Sequence, residues 1–293
     1  MADSLLTNLL KTKISAAIEK EDFEAVICIL DSLKTSYAGT AKMRDKKFTA
    51  LEIYKYIRHK TEGKSADTAK HFYNAGRKIL GIKSDNAKEV GIQIISHGFR
   101  YNKEVVTDWL YKISGDSNWE VREYVAGTII NVLVSNPGFY KTLIKWSKDK
   151  SVNIRRAVVM SALGLKDKSK TGNIQKAFDL IEPLLYDSAV YIKKNLGPFI
   201  LGSHIGNSFP EVTFKQIDKW IRIKDEHVRW NIAMAFNCSF GNKYPERALK
   251  YLEILSKDKS KVVSRAVTST LRSLNKRHPE LIGKFSRKNS INL

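Results

Sequence analysis

Acidic residues are scarce in this chain: 30 Asp and Glu stand against 51 Lys and Arg, a formal charge of +21 over 293 residues. That imbalance favours a polyanionic partner, whether DNA, RNA or an acidic membrane surface, over the plain alternative of general solubility. Cysteine is nearly absent. Cys28 and Cys238 lie far apart with no second ligand beside either, which excludes a disulfide framework and a zinc site. Two buried free thiols in a reducing cytoplasm are expected. No stretch approaches the roughly 18 apolar residues of a membrane span. Met1-Ala2-Asp3 lacks the basic start and long apolar run of an export signal. A cytoplasmic, nucleoid-associated location follows as an expectation, and Asn237-Cys238-Ser239 reads as a chance sequon. Histidines 59, 71, 97, 204, 227 and 278 show no metal-like spacing, no Gly-rich loop follows a strand, and no nucleophile stands in a catalytic context. No metal and no cofactor are expected.

Strand signals are also nearly missing, while 43% of the residues are hydrophobic, enough for a sizeable core. What fills the chain is a repeat. An aspartate followed by a β-branched residue and usually a base recurs as Asp116 with Val121-Arg122, Asp149 with Ile154-Arg155, Asp187 with Ile192-Lys193, and Asp225 with Val228-Arg229. Asp258 with Val263-Ser264 is a degenerate last copy, and the anchors stand 33 to 38 residues apart. Proline is rare, six residues in all, yet Pro137, Pro210, Pro245 and Pro279 each follow an anchor by 16 to 18 residues. The Ile154 copy has the polar stretch Lys166 to Asn173 instead.

Each anchor opens a helical period of apolar residues, such as Val121, Val125, Thr128, Ile129 and Val132. Proline is excluded from helix interiors but favoured in the first turn, so it marks the start of a second helix. Two helices per repeat cannot bury their apolar faces alone, so neighbours must stack. The same rhythm continues upstream over Leu5 to Leu33, Phe48 to Leu80 and Asn86 to Ile113. Gly197-Pro198, with Gly202 and Gly206, interrupts one helix as a kink or a tolerated break.

The Asp and base of each anchor resemble the HEAT-repeat signature, in which the two form a ladder between repeats. That resemblance implies ladder roles for Arg122, Arg155, Lys193 and Arg229, the last three being also candidate phosphate contacts. The expected fold is an all-α, right-handed superhelical solenoid of HEAT-like antiparallel helix pairs over residues 1–283. Residues 284–293 are expected to form a basic, flexible C-terminal tail.

Two positions after each anchor, about 200° around the helix from the core, stand Glu123, Arg156, Lys194, Trp230 and Arg265. This row is expected to face outward, where three bases and a tryptophan suit phosphates and sugars. Glu123 is the exception, one turn from Trp119, and Gly127 leaves space above the two. Either Trp119 packs on the preceding repeat and Glu123 pairs with Arg122 or Arg156, or the pair is functional.

The segment from Ser117 to Leu201 resembles the DNA alkylation repair superfamily, HEAT-like glycosylases that remove N3- and N7-alkylated purines. The matching stretches are Asn118-Trp119-Glu120-Val121-Arg122-Glu123, Asn136-Pro137, Trp146 with Asn153-Ile154-Arg155-Arg156-Ala157, and Tyr191-Ile192-Lys193-Lys194 with Phe209-Pro210-Glu211. The resemblance implies a monomer acting on alkylated or branched double-stranded DNA, with no small-molecule cofactor and no membrane. It places the catalytic roles on Glu123 and Trp119 and a DNA contact on Arg156. The family's second active-site Trp and a following Arg fall near Pro198 and Leu201, where neither type occurs. A non-catalytic binder of duplex or branched DNA is therefore the alternative.

Overall fold

The computed structural model describes residues 4–35, 39–62, 65–166 and 172–293; positions 167–171 of the polar stretch after Lys166 lie outside the described residues. Among the described residues every regular element is a helix. None is long and apolar enough to cross a membrane. The chain divides into two compact units, Met1–Pro137 and Gly138–Leu293.

The N-terminal unit contains α1 (Asn8–Glu19), α2 (Phe23–Ser32), α3 (Met43–Lys60), α4 (Ser65–Leu80), α5 (Asp85–Ser96), α6 (Lys103–Ser114) and α7 (Trp119–Ser135). Short polar side chains start many of these helices. Thr7, Asp22, Ser84, Asn102 and Asn118 each accept a backbone N–H of the first turn, satisfying donors that have no partner within the helix. Ile14, Val26, Ile53, Ile79, Val90 and Ile94 are fully buried between the helices. Within this unit α5 packs between α3 and α7. Cys28, expected to be buried, is exposed, because α2 turns Val26, Ile27 and Leu30 inward instead.

The C-terminal unit contains α8 (Tyr140–Trp146), α9 (Val152–Ser161), α10 (Gly172–Ile181), α11 (Val190–Asn195), a wide π-helix (Leu196–Gly206), α12 (Pro210–Trp220), α13 (Glu226–Ala235), α14 (Ser239–Lys243), α15 (Pro245–Ser256), α16 (Lys261–Asn275) and α17 (Pro279–Lys288). The proline rhythm is realised directly. Pro210, Pro245 and Pro279 are the first residues of α12, α15 and α17, and Pro137 opens a short 3-10 turn that leads into α8. The anchors Ile154, Ile192, Val228 and Val263 are all buried. They let α9 pack on α11, the π-helix on α13, and α13 on α16. This is a helical repeat, as expected.

The expected tail needs correction. Residues 284–288 belong to α17, whose apolar side chains Ile282 and Phe285 are buried, and Lys288 pairs with Glu253 at 3.0 Å. Leu281, Ile282 and Phe285 keep helical spacing to the end, so this segment has an apolar stripe to bury.

Candidate nucleic-acid interface

In the N-terminal unit the site is built on α7. Asn118 caps it, accepting from Glu120 N at 2.9 Å, and donates to Asp85 at 2.9 Å. Lys88 bridges Asp85 at 2.7 Å and Asp116 at 2.8 Å, tying the start of α7 to the start of α5. Glu120 turns inward, where it accepts from Thr40 and lies 3.5 Å from the Lys46 ammonium. Lys46 is itself fully buried, paired with the equally buried Glu89, and sits 5.5 Å over the Tyr124 ring. The Tyr124 hydroxyl donates to Gln93 at 2.6 Å. Burial pushes the Glu89 carboxyl up to about 7, against the opposing attraction of Lys46.

Because Glu120 and Tyr124 are held inward one turn apart, Trp119 and Glu123 occupy the neighbouring face of α7. Trp119 is 45% exposed and Glu123 half-buried. Gly127 continues their stripe, and a Cβ added there would meet nothing within 4 Å. Arg122 donates to the backbone carbonyls of Asp116 (2.6 Å) and Ser117 (2.8 Å), closing the loop before its own helix.

The ladder forms at two anchors of the C-terminal unit. Arg155 donates to both carboxylate oxygens of Asp187, at 2.6 and 3.3 Å, and to the carbonyl of Asp149 at 2.8 Å. Arg229 pairs with Asp258 and donates to Ile223 O at 2.9 Å. Each guanidinium fork thus joins one repeat to the cap of the next, which is why a lysine cannot stand in. Removing a fork strands a partly buried carboxylate. Arg155→Ala is expected to lower unfolding free energy by about 1–3 kcal/mol, measured by urea denaturation.

Lys193, at the equivalent position, takes another path. Its ammonium lies 4.4 Å over the Trp230 ring and 3.5 Å from His227 Nδ1. Burial holds the amine below the usual lysine range, against the attraction of Glu226 and Asp225. Arg156 also corrects an expectation: it is buried, not outward, because Tyr191 of the next anchor helix lies 5.3 Å from its guanidinium. Of the expected row in this unit, Lys194 and Arg265 are exposed, Trp230 is half-buried and Arg156 is covered. Cation-on-aromatic contacts between successive anchor helices replace part of the open row.

One cluster escaped the sequence reading. Lys166 Nζ lies 3.3 Å from His204 Nδ1, and the His204 ring meets Phe199 edge-on at 4.5 Å. A lysine ammonium only donates, so Nδ1 accepts. Burial, then the charge of Lys166, holds His204 below the usual imidazole range, which keeps it neutral for that role. Phe199 stays 40% exposed. The available signal was the glycine spacing. Gly197, Gly202 and Gly206 fall on different faces of an α-helix but share one face of a helix bonded i to i+5. In the structure all three press against α13 and the segment after it: against Asn231, against Ala235 with Cys238, and against Phe240.

No curated protein matches the chain. Among solved structures, a designed armadillo repeat protein is similar to it at 18% identity, over 77% of this chain and 94% of that one, with a TM-score of 0.25. The family described as DNA alkylation repair enzyme matches residues 90–203, from α5 into the π-helix. That segment contains Trp119, Glu123, Arg155, Arg156, Lys193 and Lys194, and over it the chain is similar to that family.

Proposed function

We propose that the chain binds duplex DNA and hydrolyses the N-glycosidic bond of cationic N3- or N7-alkylpurines. The supporting observation is the outer stripe of α7 inside the family-matched segment: an exposed tryptophan, a carboxylate one turn on, and a glycine leaving open space one turn further. Glycine in a helix interior costs about 1 kcal/mol relative to alanine, so Gly127 is there for room rather than for stability.

The chemistry suits a carboxylate without a general acid. An alkylated purine already carries positive charge, so when its bond to C1′ breaks, the bonding pair neutralises the departing base. Glu123 stabilises the positive charge that develops on the sugar and orients the water that adds to C1′, whose proton passes to the carboxylate or to solvent. Trp119 offers a ring face to the cationic nucleotide, an attraction of about 0.5–2 kcal/mol. Lys194, Trp230 and Arg265 supply contacts to phosphate and sugar, which set position rather than sequence. Arg155 and Arg229 serve the ladder first, and the covered Arg156 and Lys193 reach DNA only through the aromatic rings beside them.

The test is release of methylated base from alkylated duplex DNA. Glu123→Gln is expected to lower the rate about 100-fold with unchanged thermal unfolding and unchanged DNA affinity. Release at the unaltered rate removes Glu123 from the chemistry. Tight, salt-sensitive DNA binding with no release from any alkylated substrate favours the second reading, a non-catalytic binder of duplex or branched DNA. That reading draws on Leu201, fully buried near where the family resemblance places an arginine.

A further inference from the structure

Beyond the family-matched segment, the polar face of α16 forms an open groove of about 630 Å³ with the end of the α13 repeat. Arg265, Arg272 and Lys276 line it, interleaved with the hydroxyls of Thr268 and Ser273. On its other wall Asn237 donates to Ser269 at 3.1 Å. Every lining side chain is a hydroxyl, an amide or a cation, and no carboxylate is among them.

Some cations on neighbouring helices are held by carboxylates: Arg229 by Asp258, Arg247 by Glu211 at 2.5 Å, Lys288 by Glu253 at 3.0 Å. Arg265, Arg272 and Lys276 make no ion pair and no side-chain hydrogen bond to the described residues. The opposite face of α16 buries Val263, Ala266, Val267, Leu271 and Leu274, so the three cations project from an anchored helix. At about 1.5 Å of rise per residue they span roughly 16 Å, a distance over which a nucleic-acid strand presents several phosphates. A protein partner would need an apolar centre to bury, and this groove offers none.

We infer that the α16 groove holds the phosphodiester backbone of duplex DNA, a sequence-independent contact outside the family-matched segment. It rests on the reading that the chain binds DNA, and adds a contact within the C-terminal unit.

The experiment uses the full chain carrying Arg265→Gln, Arg272→Gln and Lys276→Gln together. These exposed substitutions leave the core of α16 intact, which thermal unfolding verifies. Affinity for an unmodified duplex is measured across a range of salt concentrations. The logarithm of affinity against that of salt is expected to become shallower by about 2–3 units, with equal losses on unrelated sequences. Lys288→Gln, removing a cation already paired with Glu253, is expected to leave the slope unchanged, and lysine at positions 265 and 272 to restore it. An unchanged slope in the triple variant overturns the inference while the DNA-binding reading stands. Absence of DNA binding by the unaltered chain overturns both. Losses confined to duplex RNA or to anionic vesicles also overturn it.

Discussion

Lys46→Met is expected to lower the unfolding free energy by about 3–5 kcal/mol, because it leaves buried carboxylates without their cation. The side chains of Lys46 and Glu89 are both fully enclosed, and Glu120 and Thr40 close the cluster. Methionine fills the volume of the lysine stem but supplies no charge and no donor. The deficit has a pH signature that a simple packing defect lacks. Burial raises the Glu89 carboxyl to about 7 in the folded protein, from an ordinary value of 4.5. A raised carboxylate contributes stability that is fully present below its unfolded value and is lost as pH rises through its folded one. Without Lys46 the folded value climbs further, so at pH 8 the variant must either hold an unpaired carboxylate or bind a proton from solvent. Urea denaturation at pH 5 and pH 8 is therefore expected to show the larger deficit at pH 8. Equal deficits at the two values would mean that the cluster is not held by charge. A second substitution, Glu89→Leu on top of Lys46→Met, is expected to recover part of the loss, since a buried pair replaced by apolar groups is often neutral. Because Glu120 and Tyr124 fix the rotation of α7, Lys46→Met is also expected to slow the base release ascribed to Trp119 and Glu123.

That cluster marks the boundary of what the sequence makes legible. The helix pairs are written locally: an aspartate, a β-branched anchor, an apolar stripe, then a proline that can begin a helix but not sit inside one. Val228 and Pro245 fall where this rhythm puts them, one buried and one at the start of α15. Lys46 carries no such mark. Its partners Glu89 and Glu120 sit on α5 and α7, and only their meeting makes a buried lysine tolerable. Arg156 fails for a related reason. A helical wheel places it away from its own helix's core, but Tyr191 on the next helix covers it. Lys193 shows that a ladder position keeps its place while losing its partner when the fork becomes a point charge. That Trp119 and Glu123 share a face of α7 away from Val121 and Val125 is legible, because a helical wheel concerns that helix alone. The Lys166–His204–Phe199 corner is not, since it depends on a helix type that the glycines only hint at.

Those glycines give a sharp test, because two glycines of this chain are expected to respond with opposite sign. Gly202→Val is expected to destabilise the protein by about 3 kcal/mol, the upper part of the overpacking range. A Cβ at 202 would stand 2.3 Å from Ala235 O and 2.7 Å from Cys238 Sγ, so the π-helix must lift off α13 or α13 must unwind at its end. The carbonyl is backbone and has no rotamer through which to yield. Gly197 presses on Asn231 of the same helix, so α13 cannot shift away from Gly202 without loosening that contact too. Gly127→Ala meets no atom within 4 Å and removes a helix-interior glycine, so it is expected to stabilise by about 1 kcal/mol. The same methyl lies on the Trp119–Glu123 stripe, where the proposed chemistry needs room. Base release is therefore expected to fall as thermal stability rises. Stability and activity rising together in Gly127→Ala would show that the open face of α7 is not where the nucleotide sits.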